Sequence, residues 1–190
     1  IIDGSGNIYL VWQDSRNGAF KIMGQKYDNN ADAQWPDSVS PDDVFISTAN
    51  NTITPDIKID SMGNLYASWH DNSVGNKEVY LCRLDNADGD HSWGGEIKVN
   101  TLSDADHQSE PRITVRDDGI VATTSMVFID NRSGDLDIYL QIFDDSGDEI
   151  NDEVLLTSAT YGDGSNQTEA EIESDGSGGL YVLWTDDRNF

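Results

Sequence analysis

One cysteine, Cys82, is all that 190 residues contain. A lone thiol cannot close an internal disulfide, so no disulfide framework staples the chain. Basic residues are scarce as well: 11 Lys and Arg stand against 36 Asp and Glu, a formal net charge of −25. A surface this negative repels nucleic-acid phosphates and anionic headgroups, so nucleic acid is not an expected partner. No run approaches the ~20 apolar residues of a membrane span, and membrane insertion is not expected either. The three histidines, His70, His91 and His107, show no His-x-x-x-His spacing, which leaves zinc without support. No nucleophile elbow, phosphate-cradling Gly loop or Cys-x-x-Cys pair occurs. No stretch carries a 3.6-residue apolar period.

What the chain has is a segment written four times. It reads IDGSGNIYLVWQD (2–14), IDSMGNLYASWHD (59–71), VRDDGIVATTSMVFID (115–130) and ESDGSGGLYVLWTD (173–186). The anchor aromatics Trp12, Trp69, Phe128 and Trp184 are separated by 57, 59 and 56 residues. A fixed period of this length is the mark of a repeat architecture. After each of the first three anchors comes a second run, KIMGQKYD (21–28), EVYLCRLD (78–85) or DIYLQIFD (137–144). An Asp/Asn/Gly turn then leads to DVFIST (43–48), EIKVNT (96–101) or EVLLTS (153–158). A polar loop leads to PDIKID (55–60), PRITVRD (111–117) or EAEIESD (169–175), which opens the next unit.

Each run is short, alternating, rich in Ile, Val and Tyr, and bounded by turn residues, which is the strand signal. One unit is therefore four strands, a to d, joined by tight turns; Gly and Asn in the a–b turn supply the positive φ such hairpins need. Four-stranded antiparallel meanders in radial repetition are the blades of a β-propeller. The expectation is an all-β chain of about three and a third such repeats, near 1–54, 55–110, 111–168 and 169–190, in a single domain. Propellers close with ~4–8 blades, so the chain reads as a piece of a longer propeller, with the remaining blades of the parent chain as its nearest partners.

The Gly turn, the Tyr-x-x-Trp-x-Asp-x-Arg stretch and the following Ile-Tyr-x-Gln-x-x-Asp resemble repeats of large secreted or surface-attached bacterial proteins. The residues are Tyr9, Trp12, Asp14, Arg16, Gln25 and Asp28, with Tyr139, Gln141, Asp144, and Tyr181, Trp184, Asp186, Arg188. More distantly, the segment 86–93 (NADGDHSW) is similar to the Asp box, Ser-x-Asp-x-Gly-x-Thr-Trp, of propellers that include sialidases, with its Gly displaced. The first resemblance implies a non-catalytic, extracellular or cell-surface propeller presenting loops to a glycan or protein ligand. The second implies a sialidase-like glycoside hydrolase. A structural surface-layer or fibre element is the third reading.

The candidate ligand-binding residues are Arg16, His70, Asp71, His107, Arg132, Tyr161 and Arg188. Asp-x-Arg recurs as Asp14/Arg16, Asp130/Arg132 and Asp186/Arg188, and fails once, where Asn72 and Ser73 follow Asp71. On the sialidase resemblance the arginines would gather to grip a carboxylate. Read without it, the Asp closes the b–c turn and the Arg pairs with a neighbouring blade. His70 stands where other repeats have Gln or Thr, and His107 and Tyr161 lie in long d–a loops; loops held on a rigid scaffold are where binding residues concentrate. The acidic c–d turns are oxygen-rich, and Asp85, Asp88 and Asp90 are the best candidates for Ca²⁺, although Asp, Asn and Gly are also ordinary hairpin residues. No catalytic residue is singled out, and carboxylates are too numerous to pick a glycosidase pair.

Overall fold

In the computed structural model of the chain, residues 1–16, 18–35, 44–72, 75–99, 106–119, 121–157 and 164–188 are described. They form strands and turns, with no helix long and apolar enough to cross a membrane. The first sheet joins β1 (Ile8–Asp14), β2 (Lys21–Tyr27) and β3 (Val44–Phe45). The second joins β4 (Thr52–Ile59), β5 (Leu65–Asp71), β6 (Glu78–Leu84) and β7 (Ile97–Lys98). The third joins β8 (Gln108–Asp117), β9 (Ala122–Asp130), β10 (Asp137–Phe143) and β11 (Val154–Leu155); the fourth pairs β12 (Gln167–Ser174) with β13 (Leu180–Asp186). Every pairing is antiparallel and follows chain order, so the all-β meander expected from the repeats is what forms.

Successive side chains of a strand point to opposite faces; β5 and β9, covered on both faces, are buried almost throughout, whereas β13, covered on one face, alternates. Ala67 and Trp69 face the first sheet, in a cluster with Tyr9, Ile22, Ile46 and Trp35. Tyr66 on the opposite face meets Ile113, Met126 and Phe128 of the third sheet. Val127 and Ile129 face on toward Ala170, Ile172, Val182 and Trp184 of the fourth. The anchor aromatics Trp69, Phe128 and Trp184 thus each pack on the preceding sheet. Trp69 and Phe128 also stack on their cross-strand partners Tyr80 and Tyr139, with centroids 6.0 Å apart in both pairs. Burial of each such side chain contributes about 1.5–3 kcal/mol.

Two details of the repeat were not visible in the run lengths. Strand a begins three residues earlier than the run around Pro55, because the polar residues Thr52, Gln108 and Gln167 are buried and paired. Each strand a then carries a bulge at Thr54, Glu110 or Glu169, with φ of 55°, 53° and 54°. The outermost strand, d, pairs over only two residues. Beyond them, hydroxyls take over from carbonyls: Ser47 Oγ accepts the Ile22 N–H at 2.9 Å and Thr157 Oγ1 the Ile138 N–H at 3.0 Å.

Candidate functional site

Every recurrent Asp of the repeat does local work. Asp14, Asp130 and Asp186 each accept, on Oδ1, the N–H of the residue two places on, at 2.7, 2.7 and 3.0 Å. This is the Asx turn that Asp favours, and it closes the b–c connection. The arginine of each Asp-x-Arg element folds back onto the same carboxylate: Arg16 Nη2 lies 2.6 Å from Asp14 Oδ2 and Arg188 Nη2 2.5 Å from Asp186 Oδ2. Hydrogen bonding from Arg16 holds the Asp14 carboxyl down at about 2.

Arg132 is the most embedded of the three. Its Nε donates to Asp130 Oδ2 at 2.7 Å, Nη2 bonds the same oxygen, and Nη1 donates to Glu153 Oε2 at 2.7 Å. The guanidinium carbon lies 4.3 Å from the centre of the Tyr139 ring. Burial disfavours this charge, but the bonds to Asp130 and Glu153 outweigh it and raise the Arg132 pKa. Burial also lifts Glu153, against the pull of Arg132. Both acidic partners lie in the arginine's own repeat, rather than in a neighbouring one.

His70, Asp71 and His107 lie along the same edge of the stack. The b–c turn of the second sheet is clasped there to the start of β8: His107 Nδ1 accepts the Lys77 N–H at 3.2 Å, and Gln108 N–H reaches the Lys77 carbonyl at 2.8 Å. His107 N–H in turn donates to Asn131 Oδ1 in the next b–c turn, at 2.8 Å. Loop ends preceding strand a and turns following strand b therefore share one edge, where Arg132 also sits. His70 is 3% exposed; its Nδ1 lies 2.9 Å from Thr54 Oγ1 and 3.4 Å from the Glu110 N–H, while Nε2 has no partner among the described residues. Burial, reinforced by Lys77 and opposed by Asp71, pushes its pKa down to about 4. Tyr161 lies outside the described residues.

The acidic c–d turns are closed by their own carboxylates. Asp85 Oδ1 accepts the Ala87 N–H at 2.8 Å and Asp88 Oδ1 the Asp90 N–H at 3.0 Å. Asp28 and Asp144 do the same in the flanking repeats. Among the described residues no group of three or more His, Cys, Asp or Glu is placed to share a metal ion, the Asp85, Asp88 and Asp90 set included. Cys82 is fully buried and burial raises its thiol pKa, which suits a packing residue rather than a nucleophile.

A cavity of about 460 Å³ lies elsewhere, walled by the edge strands β4, β8 and β12 together with β13. Asp56, Lys58, Ile113, Glu171, Glu173 and Tyr181 are among its lining residues. Lys58 Nζ reaches Glu173 Oε2 at 2.9 Å, passing over β8, where Thr114 Oγ1 also donates to Glu173 at 3.3 Å. Arg112 Nε lies 3.2 Å from Glu171 Oε1. Asp56 accepts the N–H groups of Ile113 and Ile57, both at 2.9 Å, yet burial dominates and raises its pKa. The sequence reading missed these residues. The available signal was the alternation of charged Asp56, Lys58, Arg112, Glu171 and Glu173 with Ile57, Ile113 and Ile172, which gives strand a one polar face.

No protein-family model, curated protein or solved structure matches this chain. What the sites can do rests on their own chemistry. The b–c edge gathers His107, Asn131 and Arg132, each already bonded to a neighbour. The cavity offers carboxylates beside the Tyr181 ring and aliphatic side chains, a combination suited to hydroxyl-rich or amide-rich ligands.

Proposed function

We propose that the chain is a set of β-propeller blades serving as a non-catalytic scaffold of a secreted or cell-surface protein, which presents its loop edge and inner cavity to a glycan or protein ligand. The observation that carries this reading is the equivalence of the repeats. Three successive sheet-to-sheet interfaces use the same register positions, and the Asp-x-Arg elements are consumed in closing turns. A residue that recurs in each repeat to build that repeat is a scaffold residue. The sialidase-like alternative needs free guanidinium groups converging on one point, and Arg132 is instead held between Asp130 and Glu153. The ring of further blades belongs to the same proposal and is supported by the stacking of four sheets in chain order.

The test is binding of the purified chain to arrayed glycans and secreted proteins, run beside turnover of a fluorogenic sialoside. Saturable binding without turnover is expected. Turnover that disappears in Arg132→Ala and Arg188→Ala, with both variants folded, would replace the scaffold with the hydrolase.

A further inference from the structure

The residue just ahead of strand a ties two neighbouring b–c turns together, and at one joint it is a histidine. Between the third and fourth sheets Asn166 makes the tie: its Oδ1 accepts the Leu136 N–H at 3.2 Å, and its own N–H donates to Asp187 Oδ1 at 2.7 Å. Between the second and third sheets His107 makes the same two bonds, accepting the Lys77 N–H on Nδ1 and donating its own N–H to Asn131 Oδ1. Beside each tie the first N–H of strand a bonds the preceding turn, Gln108 to the Lys77 carbonyl and Gln167 to the Leu136 carbonyl. An amide oxygen accepts at any pH, whereas imidazole Nδ1 accepts only while it carries no proton. A second imidazole crosses the same joint, since His70 of β5 takes the Glu110 N–H of β8 on its Nδ1. The other strands b hold Gln13, Ile129 and Thr185 at that place, none of which gains a charge in acid.

We propose that the joint between the second and third sheets opens in acid: a proton on His107 releases the Lys77 N–H, the turn around Lys77 lifts from the start of β8, and His70 takes up a second proton once uncovered. The order follows from exposure. His107 is exposed and meets a proton without prior opening, whereas His70 is buried and is charged only when the joint parts. Each protonated ring is a donor on both nitrogens, so it then faces an N–H that it formerly accepted. Among the described residues, the charged groups around the pair are Lys77 in the turn, Asp71 at the end of β5, and Asp106 and Glu110 on either side of the start of β8. Asp71 favours a charge on His70 and Lys77 opposes it, so the Lys77 ammonium adds to the opening. Asp130 and Arg132, which flank Asn131, are bonded to each other. The neighbouring joints have Asn51 and Asn166 ahead of strand a, carry no such group and stay closed. This holds whether or not the edge takes a ligand, so its failure leaves the scaffold reading intact, and absence of ligand binding leaves the acid-opened joint intact.

The experiment is amide hydrogen exchange of the whole chain at pH 7 and pH 5, with rates corrected for the pH dependence of exchange itself. The Lys77 and Gln108 amides report the joint in question, and the Leu136 and Gln167 amides report the equivalent bonds one joint further on. Protection of the first pair is expected to fall about tenfold or more relative to the second between the two pH values. His107→Asn, which installs the residue of the next joint, is expected to remove most of that selective fall. The double variant His70→Gln/His107→Asn is expected to respond no more than the Asn166 joint does. Protection that falls by the same factor at both joints in the wild-type chain, as general acid loosening would cause, overturns the proposal without reference to any variant. A selective fall that survives in the double variant overturns it as well.

Discussion

Trp93 donates its indole N–H to the carbonyl of Asp145, 2.9 Å away and one repeat further on. Its ring lies against Gly147, where an added Cβ would fall 2.8 Å from Trp93 Cδ2, and where φ is +84°. Trp35 repeats the arrangement with the Asn86 carbonyl and Gly89. Each tryptophan also meets a strand-b tyrosine edge-on, Trp35 with Tyr9 and Trp93 with Tyr66. The ring at the end of one c–d turn is thus the staple that sets the next sheet.

Gly147→Ala should therefore destabilise twice over, through the left-handed backbone and through the displaced indole. The expected loss is about 1–3 kcal/mol. Trp35→Ala, at a fully buried ring, should cost about 3–5 kcal/mol. Urea denaturation measures both. A neutral Gly147→Ala would show that the ring does not hold the next turn in place.

The Asp-x-Arg elements should respond unequally to the same substitution. Arg132→Ala strands the buried Asp130 and Glu153 carboxylates without their cation. Removing one partner of a buried pair typically costs about 3–5 kcal/mol. Arg16→Ala, at a pair lying in solvent, should change stability little. Equal losses in the two variants, read by chemical denaturation, would contradict this ordering.

Strands b and c were legible because their chemistry is local: Tyr-x-x-Trp alternation between an Asp-Gly turn and an Asp turn fixes both ends. Strand a was only half legible. Thr52, Gln108 and Gln167 are polar residues in a buried setting, and the bulge after them falls on Thr or Glu, which carry none of the glycine signal. A bulge shifts which residues share a face, and a one-residue slip exchanges the two faces. The cavity was therefore out of reach, since it joins Lys58 to Glu173 across 115 residues of sequence. The arginines were legible as turn-linked, but both acidic partners of Arg132 lie in its own repeat.

His70 makes stability pH-dependent in a known direction. Its folded pKa is about 4 against 6.5 for the unconstrained side chain, so the unfolded chain takes up a proton first. The His70 contribution is fully present above pH 6.5 and is lost as pH falls from there toward 4. The expected size is about 1.4 kcal/mol per pH unit within that window. His70→Gln, which installs the residue of the first repeat, should flatten this part of the profile. Denaturation at pH 7 and pH 4.5 for both proteins gives the difference of differences, in which the common carboxylates cancel. An unchanged pH slope in the variant would remove His70 as its source.

The bulge offers a stabilising substitution. Glu110 adopts a φ of 53°, a conformation that costs an ordinary L-residue roughly 1–2 kcal/mol and that Asn enters far more readily. Thr54 and Glu169 share the strain, but Thr54 bonds His70 and Glu169 accepts the Thr185 hydroxyl at 3.0 Å, so replacing either removes a contact as well. At Glu110 it is the backbone N–H that approaches His70 Nδ1, and Glu110→Asn keeps that group. The variant should gain a few tenths to about 1 kcal/mol in urea denaturation. A loss would mean that the Glu110 side chain contributes more than the strain it imposes, and would make the bulge a place to look for the ligand.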